Sequence, residues 1–209
     1  MSRPVEDLEA IAAELRPYFA AEDGAREKAL RSCRQVIRYS AEAVRAVHRQ
    51  EEDKAKQRLD SAHELLRELA HDLAKHGKLL HSGFVHDAQK EFSEGCITLA
   101  FISGEDLPRP DALGVSNAAY LDGLGESVGE LRRHILDSLR REDFSRCEEL
   151  LGIMDEIYGI LITMDFPELL AHGLRRTTDA MRGIIERTRG DLTVALRQNN
   201  LETKLKDLS

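Results

Sequence analysis

The chain has 209 residues, with 38 Asp and Glu against 30 Lys and Arg, for a formal charge of −8 at pH 7. Indiscriminate nucleic-acid binding is excluded by that balance, because phosphate affinity comes mainly from cations, although a local basic face can override the total. With 14 Gly, 5 Pro, 5% aromatics and no Trp, the composition suits a helical bundle better than a sandwich or barrel. The length allows a substantial core in one domain spanning 1–209. Cys33, Cys96 and Cys147 stand singly without CxxC spacing, so neither a zinc site nor a disulfide framework is signalled and reduced thiols are expected. No apolar run is long enough to cross a bilayer, and Met1 to Asp7 carries no hydrophobic signal segment, so a cytoplasmic location is expected.

In chain order, Val5 to Phe19 reads as a first helix with Leu8, Ile11, Ala12 and Leu15 on its buried side, ended or bent by Pro17. Asp23 and Gly24 punctuate. A long helix from Ala25 to Gln50 buries Leu30, Cys33, Val36, Ile37, Ala41, Val44 and Val47. Lys28, Arg31, Arg34, Arg38 and Arg45 occupy its other faces, and Arg31, Arg34 and Arg38 share one side. A third helix runs from about Asp53 to His76, with Gly77 as its C-cap. A fourth spans Gly83 to Ile102 and stops at Gly104 and Pro108-Arg-Pro110. The fifth begins near Ser116 or Asn117 and reaches Arg140. The sixth, capped by Asp143 or Ser145, continues to about Met164. After Asp165-Phe-Pro167, a seventh covers Glu168 to about Arg197, with Leu169, Leu170, Leu174, Met181 and Ile185 among its buried residues. A polar tail, 198–209, is expected to fray.

Chemistry concentrates in the fourth and fifth helices. At 100° per residue, Phe84, Ala88, Phe92, Gly95 and Leu99 fall within about 80° of one another, and Asp87, Glu91, Glu94 and Thr98 line the edge of that stripe. In the fifth helix Leu124, Val128, Leu131 and Ile135 face inward while Glu126 and Glu130 stack one turn apart. Carboxylates from facing helices are the usual way a bundle holds a hard divalent ion such as Mg²⁺ or Mn²⁺. Spacing alone equally fits solvated helix surface. Di-iron chemistry is less suited, because it wants Glu-x-x-His pairs that these acids lack. His71 and His76 fit surface positions better than a catalytic role. Arg31, Arg34 and Arg38, extended by Lys28, could meet successive phosphates or pair with neighbouring acids. Only Tyr39 lies close enough to stack a base, which favours backbone contact over base reading.

Four segments together resemble the translin family, and specifically the archaeal-type relatives of translin-associated factor X. They are Arg26-Glu-Lys-Ala-Leu-Arg-Ser-Cys-Arg-Gln-Val-Ile-Arg38 with Ala46-Val-His-Arg49, Glu91-Phe-Ser-Glu94, Tyr120-Leu-Asp-Gly-Leu-Gly-Glu126 with Gly129-Glu-Leu-Arg-Arg133, and Gly173 to Arg182 with Glu186 to Leu192. The resemblance implies an all-α, elongated seven-helix bundle that assembles as a hollow homo-oligomer, usually an octamer, and binds RNA or single-stranded DNA. It also implies a Mg²⁺- or Mn²⁺-dependent endoribonuclease, with Glu91, Glu94 and Glu126 as catalytic acids and metal ligands and Glu130 as a further ligand or support. Glu126 stands where the family's nuclease more often has aspartate, which lengthens the arm by one methylene. Asp122 is an alternative ligand, and Asp155 on the sixth helix a further candidate. The other readings are a translin-like binder without turnover and a helical scaffold that binds only protein.

Overall fold

The computed structural model describes residues 4–164, 166 and 173–206, which form eight helices and no strand. They are α1 (Pro4–His48), α2 (Glu52–Asp72), α3 (Gly77–Leu80), α4 (Gly83–Ser103), α5 (Pro110–Leu113), α6 (Asn117–Arg140), α7 (Cys147–Leu161) and α8 (Leu174–Lys206). The all-α class expected from the sequence is what the structure shows, and α4 and α6 start and stop within a residue of their expected bounds. Ser116 caps α6 by accepting from Ala119 N at 3.2 Å, and Gly104 ends α4 at φ 70°, a left-handed residue that glycine adopts without penalty.

The ends differ from expectation. The first two helices are one, because α1 runs through Pro17 and Gly24 without a break. A proline inside a helix costs about 3 kcal/mol, but the flanking Ala12, Ala13, Ala20, Ala21, Glu14 and Glu22 are strong helix formers. One apolar stripe, from Ile11, Leu15 and Tyr18 to Ala29, Cys33, Val36 and Val47, also keeps the same phase along the whole length. The helix α2 closes at Asp72, with Leu73 at its C-cap, and Gly77 opens the single turn of α3 rather than capping its predecessor. The first turn of α7 starts at Cys147, after Arg146. The expected tail stays helical to Lys206, since no Gly or Pro interrupts it. Leu169 and Leu170 lie outside the described residues.

Packing follows from register. Lys28 meets Asp72 and Glu42 meets Arg58, so α1 and α2 run antiparallel. At 1.5 Å per residue, α2 is about 31 Å long against about 67 Å for α1. The first twenty residues of α1 therefore overhang, and Leu8, Ile11, Leu15 and Phe19 are exposed rather than buried. Two apolar clusters form side by side. One joins α1, α2 and α4 around Val36, Leu66 and Phe92. The other joins α6, α7 and α8 around Leu131, Met154 and Met181.

The seam between the clusters is α4 against α6. His86 pairs with Asp122 and Lys90 with Glu126, the same offset each time, so these two helices run parallel. The segment 104–116 returns along the bundle to allow it. Arg146 ties the far end by donating to the carbonyls of Phe101 and Ile102. Gly123 sits where a Cβ would come within 2.8 Å of Glu94 N, Lys90 O and Ser93 Cβ. Two of those atoms are backbone and cannot swing away.

Gly123→Ala should therefore lower the melting temperature. Overpacking costs about 1–3 kcal/mol, and because the obstruction is backbone it should exceed the roughly 1 kcal/mol gained in helix propensity. Gly129→Ala in the same helix, whose Cβ would meet nothing within 4 Å, should hold or raise it in the same calorimetric measurement.

Candidate metal centre and its surroundings

Glu91 and Glu94 leave α4 from one side, and Glu126 reaches them from α6. One carboxylate oxygen from each lies within 4.8 Å of the other two. The parallel register accounts for this, since position 90 faces 126 and the acids follow within a turn. A pocket of about 190 Å³ opens beside them, lined by Ser40, Ala41, Val44 and Arg45 of α1, Glu91 and Glu94 of α4, and Glu130 and Arg133 of α6.

The electrostatics are lopsided. Glu94 receives no hydrogen bond from a described residue. Burial, reinforced by the charges of Glu91, Glu126 and Glu130 and opposed by Lys90, pushes its pKa up to about 8. Glu91 is also raised, first by burial and then by Glu126 and Asp87, with Lys90 opposing. Lys90 enters the group as a cation, its Nζ 2.8 Å from Glu126 Oε1 and 3.5 Å from Glu91 Oε1. Burial works against that ammonium, but the contacts with Glu126 and Glu91 prevail and its pKa is raised.

The donor set fits a hard divalent ion. Mg²⁺ holds oxygens at about 2.0–2.1 Å, so oxygens across an ion stand about 4 Å apart. The three glutamate oxygens, within 4.8 Å of one another, stand near that spacing. A carboxylate without a donor in such a cluster is relieved by its proton or, once ionised, by a bound cation.

The remaining sequence candidates are placed otherwise. Glu130 stands on the pocket wall outside the trio, in hydrogen-bond contact with His48 Nε2. Its pKa is lowered, first by that hydrogen bond, against burial, and then by the charges of His48 and Arg133. Asp122 is buried one turn before Glu126. Its Oδ2 lies 2.9 Å from His86 Nε2, and its Oδ1 has no hydrogen-bond partner among the described residues. Asp155 is on α7, held by both oxygens to Arg189 Nη2 at 2.8 and 3.0 Å. Lys28 pairs with Asp72 at 2.6 Å and Arg38 with Glu42 at 3.0 Å. Arg31 and Arg34 are exposed on the same side of α1. Arg58 covers the Tyr39 ring, at 5.5 Å.

Four residues were not singled out from sequence: His48, Lys90, Arg45 and Arg133. Arg45 shares the helical face of Arg31, Arg34 and Arg38, so periodicity alone could have added it. His48 and Lys90 gain their meaning only from the packing of α1 and α4 on α6. All three cysteines are free thiols, and burial raises the pKa of each. No described helix is long and apolar enough to cross a membrane.

A pH signature follows. Glutamate ordinarily titrates near 4.5, whereas folded Glu94 keeps its proton up to about 8. The folded chain binds that proton more tightly than the unfolded chain does. The stabilisation is thus fully present below the ordinary value and is lost as pH rises toward 8. Metal-free protein should melt at progressively lower temperature across that window. Glu94→Gln should flatten the decline, and Mn²⁺ at pH 8 should restore the wild type but not the variant.

No family model matches the chain. An uncharacterized protein of Methanocaldococcus jannaschii is 28% identical over 191 residues, covering 90% of this chain and 84% of that protein. Among solved structures, AfC3PO is 31% identical with a TM-score of 0.81, and its complex with duplex RNA superposes at 0.78. Both comparisons cover 90% of this chain and 97% of the other. Apo-NeC3PO, at 16% identity, 93% and 98% coverage and a TM-score of 0.78, shares the fold. With 31% identity along nearly all of AfC3PO, a form of the translin and translin-associated factor X complex, this chain belongs to the translin family.

Proposed function

We propose that this protein is a Mg²⁺- or Mn²⁺-dependent endoribonuclease that binds RNA or single-stranded DNA through the backbone and works as a hollow homo-oligomer of the translin type. The observation that carries the reading is the convergence of Glu91, Glu94 and Glu126 from two parallel helices, with their oxygens within 4.8 Å. The structure of AfC3PO with duplex RNA supports the substrate class. The exposed stripe Leu8, Ile11, Leu15 and Phe19 on the overhanging arm supports self-association, because an apolar face of this kind needs cover.

Glu91, Glu94 and Glu126 would hold the ion. When bound, it would supply a water of lowered pKa and stabilise negative charge on the phosphorane-like transition state. Lys90, 2.8 Å from Glu126, would offset part of the trio's negative charge toward an incoming phosphate. Glu130, fixed by His48, keeps the α1 wall of the pocket in place. No aromatic side chain is among the described residues lining the pocket, so base stacking is not built in and cleavage should show little base preference.

A second reading is a binder without turnover. The Lys90 ammonium already neutralises part of the trio, and Glu126 is longer than the aspartate more usual at its position. Labelled RNA incubated with purified protein separates the two. Wild type should cut with Mn²⁺ and stop with chelator, and Glu91→Gln or Glu94→Gln should each reduce the rate by about 100-fold or more, the scale of removing one group that stabilises a transition state. Retention of RNA without cutting by wild type would establish the binder. Undiminished cutting by both variants would dismiss the metal assignment.

A further inference from the structure

The acidic pocket and a neighbouring groove share one residue. Arg45 lines the pocket with Glu91, Glu94, Glu130 and Arg133. It also lines a groove of about 270 Å³ with Arg49, Lys54 and Arg58, where the acids are Glu42 and Glu51. Four cations against two carboxylates leave that groove positive, in a protein that is acidic as a whole.

The two acids are already engaged. Glu42 Oε1 takes Arg38 Nε at 3.0 Å, and its Oε2 stands 3.0 Å from Arg58 Nε. The Arg58 N–H does not point at that oxygen, so this second contact is coulombic rather than a hydrogen bond. Glu51 takes Lys54 at 2.7 Å. Arg45 has no ion pair among the described residues, although its charge helps lower the pKa of Glu42, behind the larger effects of the Arg38 hydrogen bond and the Arg58 charge. Across the pocket, Arg133 Nη1 is 3.6 Å from Glu130 Oε2, beyond hydrogen-bond length, and that oxygen already meets His48.

Both guanidinium forks therefore have unused donors. They line one acid-rich cavity from different helices, α1 and α6, and such a lining repels a polyanion unless cations flank it. Helical phase adds direction. Arg31, Arg34, Arg38, Arg45 and Arg49 fall within about 60° on α1, and Arg31 to Arg45 spans about 21 Å, the length of several backbone phosphates.

We propose that Arg45 and Arg133 form a phosphate seat that delivers a phosphodiester to Glu91 and Glu94, with the arginine face of α1 as the track leading to it. The proposal deepens the nuclease reading and rests on it for its purpose, but the seat is measurable without cleavage. Guanidinium forks suit the two free oxygens of a phosphodiester. They contact no base edge, so the seat serves any sequence.

The test is fluorescence anisotropy in chelator, with one labelled single-stranded RNA and its duplex, across a salt series. Variants are Arg45→Gln, Arg133→Gln, the pair together, Arg45→Lys and, as a control, Arg189→Gln, whose guanidinium is occupied by Asp155. Each glutamine should weaken binding roughly tenfold, as expected for a charged hydrogen bond. The double variant should lower the salt slope for the single strand by about 1.4. Arg45→Lys should keep the slope, and Arg189→Gln should change nothing. A purely structural role would change stability without moving the slope. Equal affinity and slope in wild type and the double variant overturn the seat, and so does wild type that fails to bind at low salt. If the seat behaves as stated while wild type shows no Mn²⁺-dependent cutting, the nuclease reading falls and the seat remains.

Discussion

The close approach of α4 and α6 at Gly123 sets everything else in the site. Without a Cβ at that position, the backbone of one helix lies against Lys90, Ser93 and Glu94 of the other. Parallel direction then repeats the contact one turn on, from His86 and Asp122 to Lys90 and Glu126. Glutamate side chains extend only a few ångströms, so three of them meet across a seam only where the main chains come this near. A glycine with no chemistry of its own thus sets the distance on which the carboxylates depend.

That seam also explains the electrostatics. A polar cluster between two apolar cores is shielded enough for its charges to act on each other, yet open enough on the α1 side for a ligand to enter. Glu94 bears most of the resulting strain, lacking donors and facing three other acids. Glu130, one turn further along α6 from Glu126, escapes it because His48 reaches over from the end of α1. Glu94 and Glu130, on facing helices of one seam, thus acquire opposite shifts, one from burial without a donor and the other from a histidine.

How much of this was legible in the chain depends on which forces acted locally. The i,i+3 spacing of Glu91 and Glu94, the apolar stripe beside them, and the bounds of α4 and α6 all follow from helical phase and strong punctuation by Gly104, Pro108 and Ser116. The break expected at Pro17 and Gly24 is absent because a continuous stripe and good helix formers outweigh two weak residues. Burial of Leu8, Ile11 and Leu15 was misjudged for another reason. Their phase is right, but α2 is too short to cover them, and the length of a partner helix is not a property of the segment itself. Asp155 shows the same limit, for an acid on the sixth helix is a candidate by residue type and lies with Arg189 instead. Lys90 and His48 carried no signal, since their neighbours come from other helices.

Lys90 has one further consequence. Its ammonium is tied to the backbone one residue from Glu91 and cannot be diluted away, so any mobile cation entering the cluster competes with a rival whose local concentration is fixed by covalent reach. Occupancy by a free ion would still rise from zero, but its half-saturating concentration would be raised by the tethered rival. A weakly bound monovalent ion would be held off by the same tether more readily than a divalent one.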